Sequence, residues 1–275
     1  MGARGKVEAR PRDWMQQSRF VGLVALVAGG GSGIGEETAR VIAANGGRVA
    51  VADIRKDAAD RVAAEIAAAG GDAIALAMDV ASQPDIDAAV SATVARYGGL
   101  DVVVNAAALV KAGALETADL EDWRRSFRVN IEGAIMLART CLPHLRKSAH
   151  ASIVNIASLA GIGAYPNGGP YGVTKAALIA LTRTMAMEWV GDGVRVNVVS
   201  PGTVETPLMR AVLTPDVIEQ RAARIPMGRL GQPSELADTI VFLASPMASF
   251  VTGQNVNCDG GLSQALMVQK FNANL

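Results

Sequence analysis

Half of the 275 residues are apolar and under a fifth are charged, so the chain can bury a large core. Its 26 basic residues balance 26 acidic ones, and no basic run or aromatic stripe stands out, which excludes the broad electrostatic attraction of a nucleic-acid or anionic-membrane binder. No apolar run is long enough to span a bilayer. Two cysteines, Cys141 and Cys258, and two histidines, His144 and His150, lack metal-ligand spacing, which predicts reduced thiols, no metal and a cytoplasmic protein.

Residues 1–19 are polar and arginine-bearing, with Pro11 and the acids Glu8 and Asp13. They lack the apolar segment of a secretory signal and read as a flexible extension. From Phe20 onward two textures alternate. Short, nearly continuous apolar runs recur at 24–28, 49–52, 73–78, 102–104, 153–156, 194–199 and 255–258, the pattern of strands buried on both faces of a parallel sheet. Longer stretches with helical texture lie between them, such as 57–69 and 85–96. This alternation, unbroken by any Pro- or Ser-rich linker, predicts an α/β fold. The sheet is doubly wound and parallel, with about seven strands and helices on both faces, in one domain over residues 20–275. A helix over 173–190 carries little polar surface, so either the core or a partner subunit has to cover it.

The first apolar run leads into a turn containing Gly29, Gly30, Gly31, Ser32, Gly33, Ile34 and Gly35, after which a helix opens. Glycines let the backbone turn sharply and approach a pyrophosphate, and the helix N-terminus offers free amides to the phosphates. The spacing is G-x-x-x-G-x-G rather than G-x-G-x-x-G. The strand–turn–helix context points to a dinucleotide, with a purely structural turn as the alternative. Asp53 ends the second run. An acid there accepts hydrogen bonds from the ribose hydroxyls of an adenosine and repels a 2′-phosphate. Arg55, two residues on, pulls the other way. The expectation is NAD ahead of NADP.

Of three tyrosines, only Tyr171 has a lysine, Lys175, four residues later, a spacing that shares one helix face. A free phenol titrates near ~10. A neighbouring ammonium favours the phenolate, and such a pair can pass a proton to a carbonyl oxygen or take one from an alcohol.

On these residues the chain, from about Phe20 to Leu262, resembles the short, single-domain branch of the short-chain dehydrogenase/reductase family, a Rossmann fold. The family's T-G-x-x-x-G-I-G motif matches Gly29, Gly33, Ile34 and Gly35, and its Y-x-x-x-K motif matches Tyr171 and Lys175. The family's serine, thirteen residues before the tyrosine, is Ser158, and its helical asparagine is Asn130. The resemblance implies a catalytic set of Asn130, Ser158, Tyr171 and Lys175. Tyr171 is then the acid/base, with its pKa lowered by Lys175. Ser158 bonds the substrate oxygen, and Asn130 anchors a water that connects Lys175 to solvent.

The resemblance also implies cofactor contacts. In the glycine turn they include Ser32. Beyond it they fall at Asp53 and Ile54, at the adenine-contacting pair Asp79 and Val80, and at Asn105 and Ala106. Further along they fall at Pro201, Gly202, Val204 and Thr206 on the nicotinamide side, with Tyr171 and Lys175. Thr252-Gly253-Gln254 and Asp259-Gly260-Gly261 fit the family's C-terminal pattern.

Two positions depart from the family pattern. Ala28 stands for its threonine, and Asn105-Ala106-Ala107-Ala108 for its N-N-A-G. Substrates of open α/β sheets bind beyond the strand carboxyl ends. That makes Leu109, Val110, Leu159, Ala160 and residues 165–169 and 208–224 candidate linings, with 209–225 a candidate lid. Their apolar lean predicts a neutral, moderately hydrophobic secondary alcohol or ketone, and the resemblance implies a homotetramer. The rival readings are an NADPH-dependent reductase of carrier-bound 3-oxoacyl groups and a non-catalytic dinucleotide sensor or scaffold.

Overall fold

The computed structural model describes residues 20–206, 209–210 and 214–265. The expected N-terminal extension therefore lies outside the described residues. Seven strands carry the fold: β1 (Val24–Ala28), β2 (Arg48–Asp53), β3 (Asp72–Ala77), β4 (Val102–Asn105), β5 (Ser152–Ile156), β6 (Arg195–Pro201) and β7 (Asn255–Cys258). Between them run α1 (Gly33–Ala44), α2 (Lys56–Ala68), α3 (Gln83–Tyr97), α4 (Leu120–Phe127), α5 (Gly133–Leu145), α6 (Pro170–Trp189), α7 (Pro215–Ala222) and α8 (Pro233–Ala244). All strand pairs are parallel, in the order β3-β2-β1-β4-β5-β6-β7.

Because strand side chains alternate between faces, β1 feeds two cores. Val24, Leu26 and Ala28 join a layer with Ile86 of α3, Leu137 and Cys141 of α5, and Met185 and Trp189 of α6. Ala25 and Val27 face the other way, into a layer with Ile42 of α1, Val62 of α2, and Leu236 and Ile240 of α8. Truncating Leu26, which is fully buried, to alanine costs about 2–5 kcal/mol, because the packed surroundings relax only partly. Arg195 closes one helix end onto the sheet by donating to the carbonyls of Leu243, Ala244 and Ser245. Burial pushes its guanidinium down to about 10.

The order of the strands locates the site. The chain winds outward from β1 through β2 to β3, then returns to the other side of β1 with β4. A crevice opens at that reversal, beyond the carboxyl ends of β1 and β4, where open α/β sheets hold ligands. The helix expected at 173–190 is α6. Its buried stripe, including Leu178, Thr182, Met185 and Trp189, packs on the core, while Val173 and Met187 face outward and are exposed.

Candidate active site

A cleft of about 720 Å³ lies across the carboxyl ends of the strands, within the range of small-molecule sites. One end is built by β1, the glycine turn, α1 and β2. Gly29 has φ +75°, and a Cβ there would stand 2.7 Å from the Ala107 amide nitrogen. Only glycine lets the turn press against the strand-end segment after β4. Asp53 is nearly buried. Its two carboxylate oxygens accept from the backbone amides of Gly31 and Arg55, each at 2.9 Å. A side chain at Gly31 would collide with that carboxylate, its Cβ falling 2.7 Å from Oδ2. Arg55 lies back over the same acid, its Nε 3.7 Å from Oδ1 and its Nη2 donating to Ser32 Oγ at 3.2 Å.

Ser32 precedes α1 without capping it by its side chain, so the first-turn amides of α1 are open to an anion. Glu36, the acid in that turn, is bound by Arg40 and Arg61. Burial opposes its charge, but those partners hold its carboxyl below the usual carboxylate range. A glycine cradle, open helix amides and a fixed carboxylate fit a dinucleotide. Gly33, Ile34, Gly35, Ile54, Asp79, Val80, Ala106, Pro201, Gly202, Val204 and Thr206 also lie in the cleft wall.

At the other end Ser158, Tyr171 and Lys175 share the wall. Ser158 follows β5 in extended backbone, and the two other groups stand one turn apart on α6. Ser158 Oγ accepts from the Ala160 amide at 3.2 Å, and its hydroxyl stands close enough to the Tyr171 phenol to favour the phenolate. Lys175 is almost fully buried. Its Nζ lies 5.8 Å from the centre of the Tyr171 ring and donates to the Ile156 carbonyl at 2.6 Å. Burial pushes Lys175 down to about 8, and among the described residues no carboxylate pairs with it.

Two expectations are corrected here, and the partners of Asn130 are resolved. Tyr171 is raised above its ordinary value, because desolvation outweighs the neighbouring Ser158 hydroxyl. Asn105 is absent from the cleft wall. Its buried amide turns into the sheet and donates to Asn155 Oδ1 at 3.3 Å. Asn130 sits in a π-helical turn between α4 and α5. Its Oδ1 accepts from the Leu109 amide, and its Nδ2 donates to the Leu109 carbonyl and to Thr174 Oγ1. Both amide hydrogens are committed, which leaves the second lone pair of Oδ1 and the main-chain carbonyl as the groups to which a water could donate. These bonds tie the loop after β4 to the catalytic helix.

Of the candidate substrate linings, Leu109 and Val110 are in the wall, whereas Leu159, Ala160 and residues 165–169 are not. Within 208–224, Leu208 and residues 211–213 lie outside the described residues, and α7 has no buried residue. The wall also contains Glu121, Arg125 and Arg128, which sequence reasoning did not single out. Their spacing of four and then three residues on the helix leading to Asn130 was the available signal.

Comparisons with known proteins agree with this geometry. The profile of a family described as "Enoyl-(Acyl carrier protein) reductase" matches residues 28–263. A 2,5-dichloro-2,5-cyclohexadiene-1,4-diol dehydrogenase, LinX, of Sphingobium indicum is 39% identical over 248 residues, covering 90% of this chain and 98% of that protein. A 3-oxoacyl-[acyl-carrier-protein] reductase, FabG, of Thermotoga maritima is 37% identical over 244 residues, covering 89% and 99%. A 7α-hydroxysteroid dehydrogenase solved with NADH and 7-oxo glycochenodeoxycholic acid superposes with a TM-score of 0.86 at 34% identity, covering 90% of this chain and 96% of that one. The chain belongs to the short-chain dehydrogenase/reductase family, oxidoreductases acting on CH–OH groups.

Proposed function

We propose that the protein moves a hydride between NAD and a neutral, moderately apolar secondary alcohol or ketone, with Tyr171 as general acid/base. The observation that carries this reading is the grouping of Ser158, Tyr171 and Lys175 in one cleft wall with the glycine turn and Asp53. When bound, the dinucleotide supplies the hydride acceptor, or the donor in the reverse direction. The protein's own residues handle the proton and the geometry. In oxidation, Tyr171 as its phenolate takes the alcohol's hydroxyl proton as the carbonyl forms. Ser158, in the same wall as Tyr171, holds the substrate oxygen beside it and stabilises charge developing there. The Lys175 ammonium favours the phenolate by Coulomb attraction, working against the burial that raises it. Asn130 is a positioning residue, joining the Leu109 loop to Thr174 on α6.

The choice of NAD rests on Asp53. Its carboxylate is held in place by two backbone amides where the adenosine ribose would lie, and it disfavours a 2′-phosphate. Arg55 is engaged with the same acid and with Ser32, which reduces its use as a phosphate partner. The relative named for a ring diol and the neighbour named for a hydroxysteroid support a secondary-alcohol substrate. We further propose one domain over residues 20–275 and a cytoplasmic homotetramer. The exposed apolar side chains of Val173, Met187, Phe242 and Phe250 support subunit contacts, and a monomeric mass in solution would contradict them.

The deciding experiment follows nicotinamide absorbance with a panel of secondary alcohols and ketones and each cofactor. Turnover with NAD is expected. Turnover with NADPH and 3-oxoacyl thioesters alone would replace this reading with the carrier-linked reductase. Dinucleotide binding without turnover across the panel would replace it with a sensor.

A further inference from the structure

The glycine turn is held from behind by a helix that takes no part in the cleft wall. Its backbone groups have separate partners. The Gly29 and Gly30 amides donate to the Ala52 carbonyl at 2.8 and 3.0 Å, and the Gly31 amide donates to Asp53. The Gly31 carbonyl accepts from Arg61 Nη2 at 3.1 Å. Arg61 reaches it because α2 lies directly against the turn. A Cβ at Gly31 would stand 2.9 Å from the Ala58 Cβ, and Ala58 and Arg61, three residues apart, share a helix face.

That one bond fixes a direction. In a planar trans peptide the carbonyl and the amide that follows it point to opposite sides. With the Gly31 carbonyl turned toward α2, the Ser32 amide is turned away from it. Ser32 lines the cleft and Gly31 does not. The Ser32 amide makes no hydrogen bond among the described residues. An amide so placed, beside the first-turn amides of α1, is available to an anion.

The same guanidinium covers a charge. Glu36 stands in the first turn of α1, where its carboxylate would repel a phosphate bound at the helix N-terminus. Arg61 grips both of its oxygens, Nη1 on Oε1 at 2.9 Å and Nη2 on Oε2 at 2.7 Å, the paired contact that suits a planar fork. Arg40 adds a bond to Oε1 at 2.8 Å. Arg61 is outside the cleft wall, so it acts through Gly31 and Glu36.

We infer that Arg61 is a positioning residue for the phosphates of the dinucleotide: from α2 it holds the Gly31 carbonyl away from the cleft and screens the Glu36 carboxylate. The inference rests on the dinucleotide reading of the cleft and adds to it a residue from the second layer. A lysine supplies the charge but not the fork, so it cannot grip the carboxylate and the carbonyl together.

The test reads binding rather than turnover. ADP carries two phosphates and adenosine carries none. Each is used to displace the reduced nicotinamide cofactor that the wild type binds more tightly, followed by cofactor fluorescence. Arg61→Met keeps the aliphatic stem and removes the guanidinium. Its affinity for ADP and for the reduced cofactor is expected to fall about tenfold, with that for adenosine little changed. Arg61→Lys is expected to lose about threefold. Adding Glu36→Gln to Arg61→Met removes the uncovered carboxylate and is expected to return part of the lost ADP affinity. The melting temperature of Arg61→Met should move little, because a half-exposed ion pair adds little stability. An unchanged ADP affinity in Arg61→Met would overturn the inference. So would an equal loss for adenosine, which would make Arg61 a support for the turn as a whole. No recovery on adding Glu36→Gln would overturn the screening on which the inference depends. A wild type that binds neither reduced cofactor nor ADP would instead overturn the dinucleotide reading beneath it.

Discussion

The two ends of the cleft are built on different length scales. The cofactor end is a continuous piece of chain, β1 to β2, in which a glycine turn folds onto its own neighbours and Gly31 and Arg55 hold Asp53 by their amides. The substrate end is a junction of distant segments. Asn130 reaches Leu109 and Thr174, and Gly113 pairs with Asn167 and Gly169. The first end is specified by what a short motif does to the backbone. The second is specified by which loops the topology brings together. Variants at the two ends should therefore fail differently, the first in dinucleotide affinity and the second in turnover and selectivity.

The largest effect is expected at the substrate end. Tyr171→Phe removes the proton-carrying oxygen and little else, so kcat should fall by about 10²–10⁴-fold. Dinucleotide affinity, measured by calorimetry, should stay close to the wild-type value. A variant retaining a tenth or more of wild-type turnover would remove Tyr171 from the chemistry.

Lys175 sharpens the contrast, because it serves function at a cost in stability. Its ammonium is buried without a carboxylate partner among the described residues, and burial pushes it down to about 8 from the ordinary lysine value of 10.5. Between those values the unfolded chain binds more protons than the folded one. The group's stability contribution is thus present above about 10.5 and lost as pH falls through about 8. Lys175→Met should lose activity by at least about a hundredfold yet melt higher than the wild type at pH 7. The gap is expected to be on the order of a few kcal/mol and to narrow as pH rises toward 10. The raised phenol of Tyr171 is common to both proteins and drops out of the difference. A variant less stable than wild type at pH 7 would mean that the Ile156 hydrogen bond outweighs the desolvation.

At the cofactor end, Asp53→Asn keeps the size of the side chain and removes its charge. The preference for NAD over NADP, read as a ratio of kcat/KM values, should fall by about tenfold, with Tyr171-dependent kcat little changed. An unchanged ratio would shift cofactor choice to Arg55 and Ser32.

What could be read from sequence divides along the same line. Every strand run began and ended within a residue or two of an observed strand, because strands buried on both faces leave a continuous apolar trace. Gly29, Asp53, Tyr171 and Lys175 were legible because each owes its place to a local spacing. Asn105 was misplaced. Its position after β4 says that it lies near the crevice, but the direction of its side chain is set by Asn155, fifty residues away on β5. Asn130 likewise carries no local mark of its bonds to Leu109 and Thr174. The raised phenol of Tyr171 follows from burial that no motif encodes. Tyr165 was one of several candidate linings, and its place outside the cleft wall follows from the fold of its segment onto Gly168, which no local pattern marks.

The smallest effect separates a structural tie from a functional one. Thr174 is buried, accepts from Asn130 Nδ2 and donates to the Tyr171 carbonyl, so it couples the loop after β4 to the turn of α6 that carries Tyr171. Thr174→Val keeps the shape but leaves the Asn130 amide and that carbonyl each short of a partner. The cost to stability should be about 1–3 kcal/mol. If the tie positions Tyr171, kcat should also fall several-fold, on the order of the penalty for a slightly misplaced group, while dinucleotide affinity holds. Thr174→Ser, which restores the hydroxyl, should recover both. A valine variant that melts earlier but turns over at the wild-type rate would show that α6 holds Tyr171 unaided, and Asn130 would then act only by fixing the Leu109 loop.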